Sequence, residues 1–161
     1  MMMIQKTNLA LFAPYSFIFM PILINDPALT REIKAEIRSS CEEIAQDRAS
    51  EISKYEAQLI FDKLTEIDKS RQSVVKTLSN YLFAIYEHLD LENNLEFKTK
   101  SEKLLLASLI YFAIVDDVIP DHIAYIGLLD DAYCVNYALS KQSNPVKDKI
   151  ERLVKALALI S

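Results

Sequence analysis

Apolar positions recur at helical spacing over most of this chain. Between residues 28 and 119 there is neither Gly nor Pro, and Ile33, Ile37, Cys41, Ile44, Ile52, Tyr55 and Leu59 follow at intervals of three, four and eight. Ile60, Leu64, Ile67, Arg71, Val75, Leu78, Leu82, Ile85 and Leu89 then step by three and four. Such intervals keep side chains on one face of a 3.6-residue helix, so residues 28–89 are expected to form one long amphipathic helix or two in near succession. Asp26 is a candidate N-cap for this region, with Pro27 at the first helical position. The apolar phase shifts between Leu59 and Ile60, and Asp68, Lys69, Ser70 and Arg71 offer a place for a break.

The run Asp90, Leu91, Glu92, Asn93 and Asn94 reads as the end of that region, because Asp and Asn tolerate turn conformations. A new helix opens at Thr99 or Ser101. Residues 104–115 are almost wholly apolar. As a helix they measure about 18 Å, short of the roughly 30 Å needed to cross a bilayer, and read as the central helix of a bundle. Pro120 breaks and restarts the helix, which then runs to about Ser140 and is apolar all round, as a buried helix is. Asn144 as cap and Pro145 open a final amphipathic helix carrying Val146, Ile150, Leu153, Val154, Leu157 and Ile160. The pattern predicts an all-α helical bundle in three stretches: an apolar arm at 1–27, a long charged amphipathic region at 28–100, and a hairpin with a C-terminal helix at 101–161. Residues 28–161 are expected to form one compact domain.

Composition sharpens this picture. The chain holds one Gly among 161 residues, where average usage would supply about eleven. Sheet hairpins, P-loops and nucleophile elbows all need glycines, so helices joined by polar loops are the remaining solution. A net charge of −5, from 18 Lys and Arg against 23 Asp and Glu, argues against nucleic-acid binding. The arm contains an uncharged run at 9–24, too short for a span and interrupted by Pro14 and Pro21. It is expected to lay Phe12, Phe17, Phe19 and Ile22 on the fold or on a second subunit, with contact at a membrane surface as the alternative. Cys41 and Cys134 lie 93 residues apart without metal or disulfide spacing and read as small buried side chains in a reducing, cytoplasmic setting.

Charge by segment is uneven. Residues 1–27 sum to zero, 28–100 to −3, 101–140 to −5 and 141–161 to +3. The most acidic segment is thus also the most apolar. Asp130 and Asp131 fall on the all-apolar helix, in or beside the core, where an unpaired carboxylate is expensive. Asp131 is expected to point into a narrow contact made by the small residues Ala124, Gly127, Cys134 and Ala138. Three uses of Asp117, Asp121, Asp130 and Asp131 remain open: accepting hydrogen bonds from helix ends, tyrosines or the basic final helix; holding a divalent metal together with His122; or receiving a cationic ligand. His88 reads as an exposed residue at a helix C-terminus.

Residues 111–131 carry a recognisable string. Asp117, Ile119, Pro120, Asp121, Ile123, Gly127, Leu129, Asp130 and Asp131 fall without a gap on the motif Y-x-L-S-P-x-D-L-I-P-D-F-I-P-x-I-G-x-L-D-D. The chain therefore resembles the YkvA-like bacterial family, domain of unknown function 1232, over about residues 75–140. It departs from the pattern at Ile114 and Val115, His122 and Ala124. Losing the family's prolines there is expected to leave the turn less rigid. The resemblance implies a small helical domain, centred on a helix-turn-helix with Pro120 and Gly127 as structural residues, with no catalytic assignment to carry over.

No nucleophile–base arrangement and no Glu-x-x-His repeat is present in the sequence. The sequence thus points to a non-catalytic helical interaction or assembly module, a regulatory or immunity-type partner binding a protein or itself and needing no cofactor. A divalent-metal carboxylate site, structural or hydrolytic, is the first alternative. A peripheral membrane protein anchored by residues 9–24 is the second.

Overall fold

The computed structural model describes residue 22 and residues 29–69, 73–114 and 128–160. Six helices follow in order: α1 (Arg31–Asp47), α2 (Lys54–Ile67), α3 (Ser73–Leu89), α4 (Lys100–Ala113), α5 (Leu129–Ser140) and α6 (Asn144–Ile160). The all-α class expected from the sequence is the one observed.

The region 28–89 is three helices where one or two were expected. Helix α2 ends at Ile67 and α3 begins at Ser73, on either side of the stretch in which a break is expected; the break before α2 does not follow from apolar periodicity at all. It is set by a capping box, in which the Ser53 side chain accepts from the Glu56 N–H while Glu56 reaches back to the Ser53 N–H. Arg48 then pairs with Glu56 at 2.8 Å across the turn. As a consequence Tyr55, which falls on the periodic stripe, stands 72% exposed. The start of α1 also differs. Its N-cap is Thr30, whose side chain accepts from the Ile33 N–H, while Asp26 and Pro27 lie outside the described residues.

The other boundaries follow from local chemistry. Thr99 and Glu102 form a second capping box at the start of α4. The end of α3 is a left-handed turn made by Asp90 (φ 55°), with its N–H bonded to the Glu87 carbonyl and the Leu91 N–H to the Tyr86 carbonyl. That is the Schellman arrangement, with buried Leu91 supplying the apolar contact beyond the turn. At α6 the capping oxygen belongs to Ser143, not Asn144: it faces the Val146 N–H at 3.5 Å, and the helix begins at Asn144.

The core is organised around α4. Residues 104–112 are all buried, so this helix has no solvent face. It is enclosed by α1, α2, α3 and α5, while α6 lies against α3. Helix α5 runs antiparallel to α4: Gln142, after the end of α5, donates to the Ser101 carbonyl at the start of α4, and Tyr111 at its far end meets Asp130. Helix α1 runs parallel to α5, with Arg38 bonded to the Tyr133 hydroxyl and Glu42 to that of Tyr137. The loops between α1 and α2 and between α3 and α4 pair through the Ile52 N–H to the Leu95 carbonyl (3.0 Å) and the Phe97 N–H to the Ser50 carbonyl (2.8 Å). This short antiparallel pairing satisfies N–H groups that burial of Ile52 and Phe97 would otherwise strand.

Ile22 of the arm faces inward at 1% exposure. Its N–H donates to Asn136 Oδ1 (3.1 Å), and its carbonyl accepts from Asn136 Nδ2 (2.9 Å). Asn136 is therefore a side-chain clamp that replaces a strand partner, and Ile22 packs on its own chain. Phe12, Phe17 and Phe19 lie outside the described residues. Replacing Asn136 by Ala strands both backbone groups of Ile22 in the core and is expected to cost about 2 kcal/mol in urea unfolding. A loss below about 0.5 kcal/mol would show that the clamp is dispensable.

Candidate functional site

The carboxylates singled out in the sequence divide into two sets. Asp130 and Asp131 open the first turn of α5, where the helix dipole favours negative charge, and both are fully buried. Asp117, Asp121 and His122, with Pro120 and Gly127, lie outside the described residues.

Asp130 has a definite employment. Its Oδ2 accepts from the Tyr111 hydroxyl at 3.0 Å, and its Oδ1 accepts from the Asp131 N–H at 3.1 Å. The second bond satisfies one of the donors that every helix N-terminus leaves without an intrahelical partner. The first ties the start of α5 to the end of α4. Of the acceptor roles open to these residues, Asp130 therefore fills two, to a tyrosine and to a helix-end N–H.

The facing end of α4 is treated in the complementary way. Lys63 of α2 donates to the Phe112 carbonyl at 2.8 Å, and its ammonium lies 4.8 Å from the centre of the Phe112 ring. A cation at a helix C-terminus balances the negative end of the dipole and occupies a carbonyl left over by the last turn. The two helix ends that flank residues 115–127 are thus each met by opposite charge, anionic at α5 and cationic at α4.

Behind Asp130 and Asp131 sits a buried thiol pair. Cys41 of α1 and Cys134 of α5 are both inaccessible and reduced. Burial pushes the Cys134 thiol well above its ordinary value, and a hydrogen bond with Cys41 and the nearby Asp131 and Asp130 add to this. Cys134 is thereby held as a neutral thiol, a poor nucleophile and a poor metal ligand. Cys134 and Ala138, two members of the small-residue face, pack in the core, with Cys134 against α1. The other two, Ala124 and Gly127, lie outside the described residues.

Further out on α1 and α5, Glu42 is held below the usual carboxylate range, chiefly by the Tyr137 hydroxyl, with Lys100 at 3.1 Å and Lys141 contributing. Beside it a cavity of about 310 Å³ is lined by Glu42, Gln46, Lys98, Lys100 and Lys103. His88 is half-buried, not exposed as its helix-end position suggested. It sits at the end of α3 among groups of α4 and α6, and its Nδ1 has no partner. Burial and then Lys149 lower its pKa, while Glu102 raises it. Among the described residues no group of three His, Cys, Asp or Glu side chains is placed to hold a metal ion.

Several partners here were not legible in advance. Lys63 falls on an ordinary charged helix face, and nothing in its surroundings marks it as the end-cap of a helix 49 residues later. Asn136 did carry a signal, as a lone amide on a helix otherwise apolar all round.

Fold and site define a helical bundle whose central antiparallel pair, α4 and α5, is fastened by a buried tyrosine–carboxylate bond. Residues 103–137, from within α4 to near the end of α5, match the family model described as protein of unknown function (DUF1232). That segment is the YkvA-like one that the motif at 111–131 resembles. The match begins at residue 103, so α3 lies outside it. No curated protein and no solved structure gives a significant match.

Removing the Tyr111 hydroxyl tests the fastening. Tyr111→Phe is expected to lower stability by about 1.5–3 kcal/mol, the range for a bond to a charged group. An unchanged urea midpoint would show that Asp130 does not depend on that bond.

Proposed function

We propose that this chain is a non-catalytic helical assembly module of a bacterial cytoplasm, acting through self-association. The observation that carries the reading is an apolar seam on α2, α3 and α6. Phe61 of α2 stands 41% exposed, with its ring 6.3 Å from that of Phe83 and 5.7 Å from that of Tyr86, both on α3. Next to it a cavity of about 330 Å³ opens between α3 and α6, with Phe83, Leu153, Leu157 and Ile160 in its walls. Exposed aromatics beside an apolar groove are what protein interfaces use as anchors. The employment of Asp130 as an acceptor inside the core supports the same reading, since a carboxylate so engaged builds the fold.

The test is the molar mass of the full chain by light scattering over a range of concentrations, with Phe61→Glu for comparison. Mass is expected to rise with concentration in the wild type and to stay at that of a monomer in the variant, with no loss of melting temperature. A wild-type chain that is monomeric throughout would refute self-association.

A second reading is a divalent cation held by the carboxylates of the hairpin. Its support is the full burial of adjacent Asp130 and Asp131, a few residues from Asp117, Asp121 and His122 in sequence. Metal analysis and melting with and without a chelator decide it. Bound metal and a lowered melting temperature on chelation are expected if the cation is there; a metal-free chain with an unchanged melt refutes it.

A further inference from the structure

Helix α6 is the odd element of the bundle. Ile150 is its one fully buried residue, and Glu151 turns inward to accept from the Tyr81 hydroxyl. Outward, Lys149, Arg152 and Lys155 are exposed, against the single acid Asp148. Residues 156–160 contain no charged group, and two large apolar side chains there are almost fully in water, Leu159 at 86% and Ile160 at 82%.

From this arrangement we infer that the end of α6 is a tip that docks on an anionic membrane surface. Three observations select that occupant. The first is the distribution of charge. Residues 141–161 carry +3 while the remainder of the chain carries −8, so an anionic surface attracts this end of the molecule and repels the rest.

The second is the order of groups along the axis. At 1.5 Å per residue, Arg152 lies about 12 Å behind Ile160 and Lys155 about 7 Å behind it. Cations at that depth reach lipid phosphates when the apolar turn enters the headgroup boundary. The third is angular. Leu159 and Ile160 are successive residues, about 100° apart around the helix, so a flat protein face that buried one would leave the other wet. A lipid surface closes around the side chains that enter it and receives both. No helix among the described residues is long and apolar enough to cross a membrane, so the contact is a shallow one.

Ile160 also lines the groove between α3 and α6, so the inference is separated from self-association by its readout, vesicle binding here and molar mass at Phe61. Here the probe is sedimentation of the full chain with vesicles of phosphatidylcholine, with and without phosphatidylglycerol. Two variants are compared with the wild type: Leu159→Ser with Ile160→Ser, and Lys149→Gln with Arg152→Gln and Lys155→Gln. All five positions are exposed, so both variants should melt as the wild type does. The wild type is expected to bind the phosphatidylglycerol vesicles and to lose them as salt rises. Each variant should lower the partition coefficient at least about tenfold. Variants that partition like the wild type place the contact elsewhere, in residues 9–24 for instance, and overturn the inference. So does a chain that binds neither vesicle. A fall in molar mass of the Leu159 and Ile160 variant without vesicles would assign the tip to a second copy and overturn it equally.

Discussion

A helix with no solvent face imposes its surroundings. Residues 104–112 of α4 are hidden on every side, and a cylinder that is apolar all round needs neighbours all round. Helices α1, α2, α3 and α5 supply them, and each is correspondingly amphipathic or nearly apolar. Only α6, packed on α3, is free of this demand. That freedom accounts for its charge and for the apolar side chains it leaves in water.

Burial of this kind leaves polar groups to be dealt with inside, and the chain handles them in pairs. Tyrosine hydroxyls meet acids at Tyr111 with Asp130, Tyr137 with Glu42 and Tyr81 with Glu151. In each pair the acid accepts from a donor that brings its own apolar ring, and at Glu42 an exposed cation, Lys100, adds to it from the solvent side. The pairs link α4 to α5, α5 to α1 and α3 to α6. They supply direction and register where Leu and Ile side chains, which pack in many ways, do not.

Much of this was legible in the sequence, for identifiable reasons. Shortage of glycine and helical spacing of Ile and Leu announced an all-α chain. The uninterrupted apolar run at 104–115 announced its centre. The end of α3 was legible because Asp90 and its neighbours are turn formers, and Asp90 does take the left-handed conformation that glycine usually serves. What apolar spacing hid was the break at 48–53. A stripe that resumes after eight residues looks continuous, and the capping pair Ser53 and Glu56 carries the information instead. At the site, the burial of Asp130 and Asp131 follows from their apolar helix, but their partners do not. Tyr111 and Lys63 reach that region through tertiary packing, across sequence separations of 19 residues to Asp130 and 49 to Phe112, and no local pattern encodes such a meeting.

The clamp on Ile22 has a temporal side. It joins positions 114 residues apart, so it cannot close until α5 has been made and docked. During synthesis from the N-terminus, Ile22 must wait for nearly the whole bundle before its partner exists. In the finished fold two hydrogen bonds at Asn136 hold Ile22 to the bundle, and opening them does not require the helices to separate. Ile22 is therefore among the last residues to be secured and among the first that can be released while the bundle stays folded.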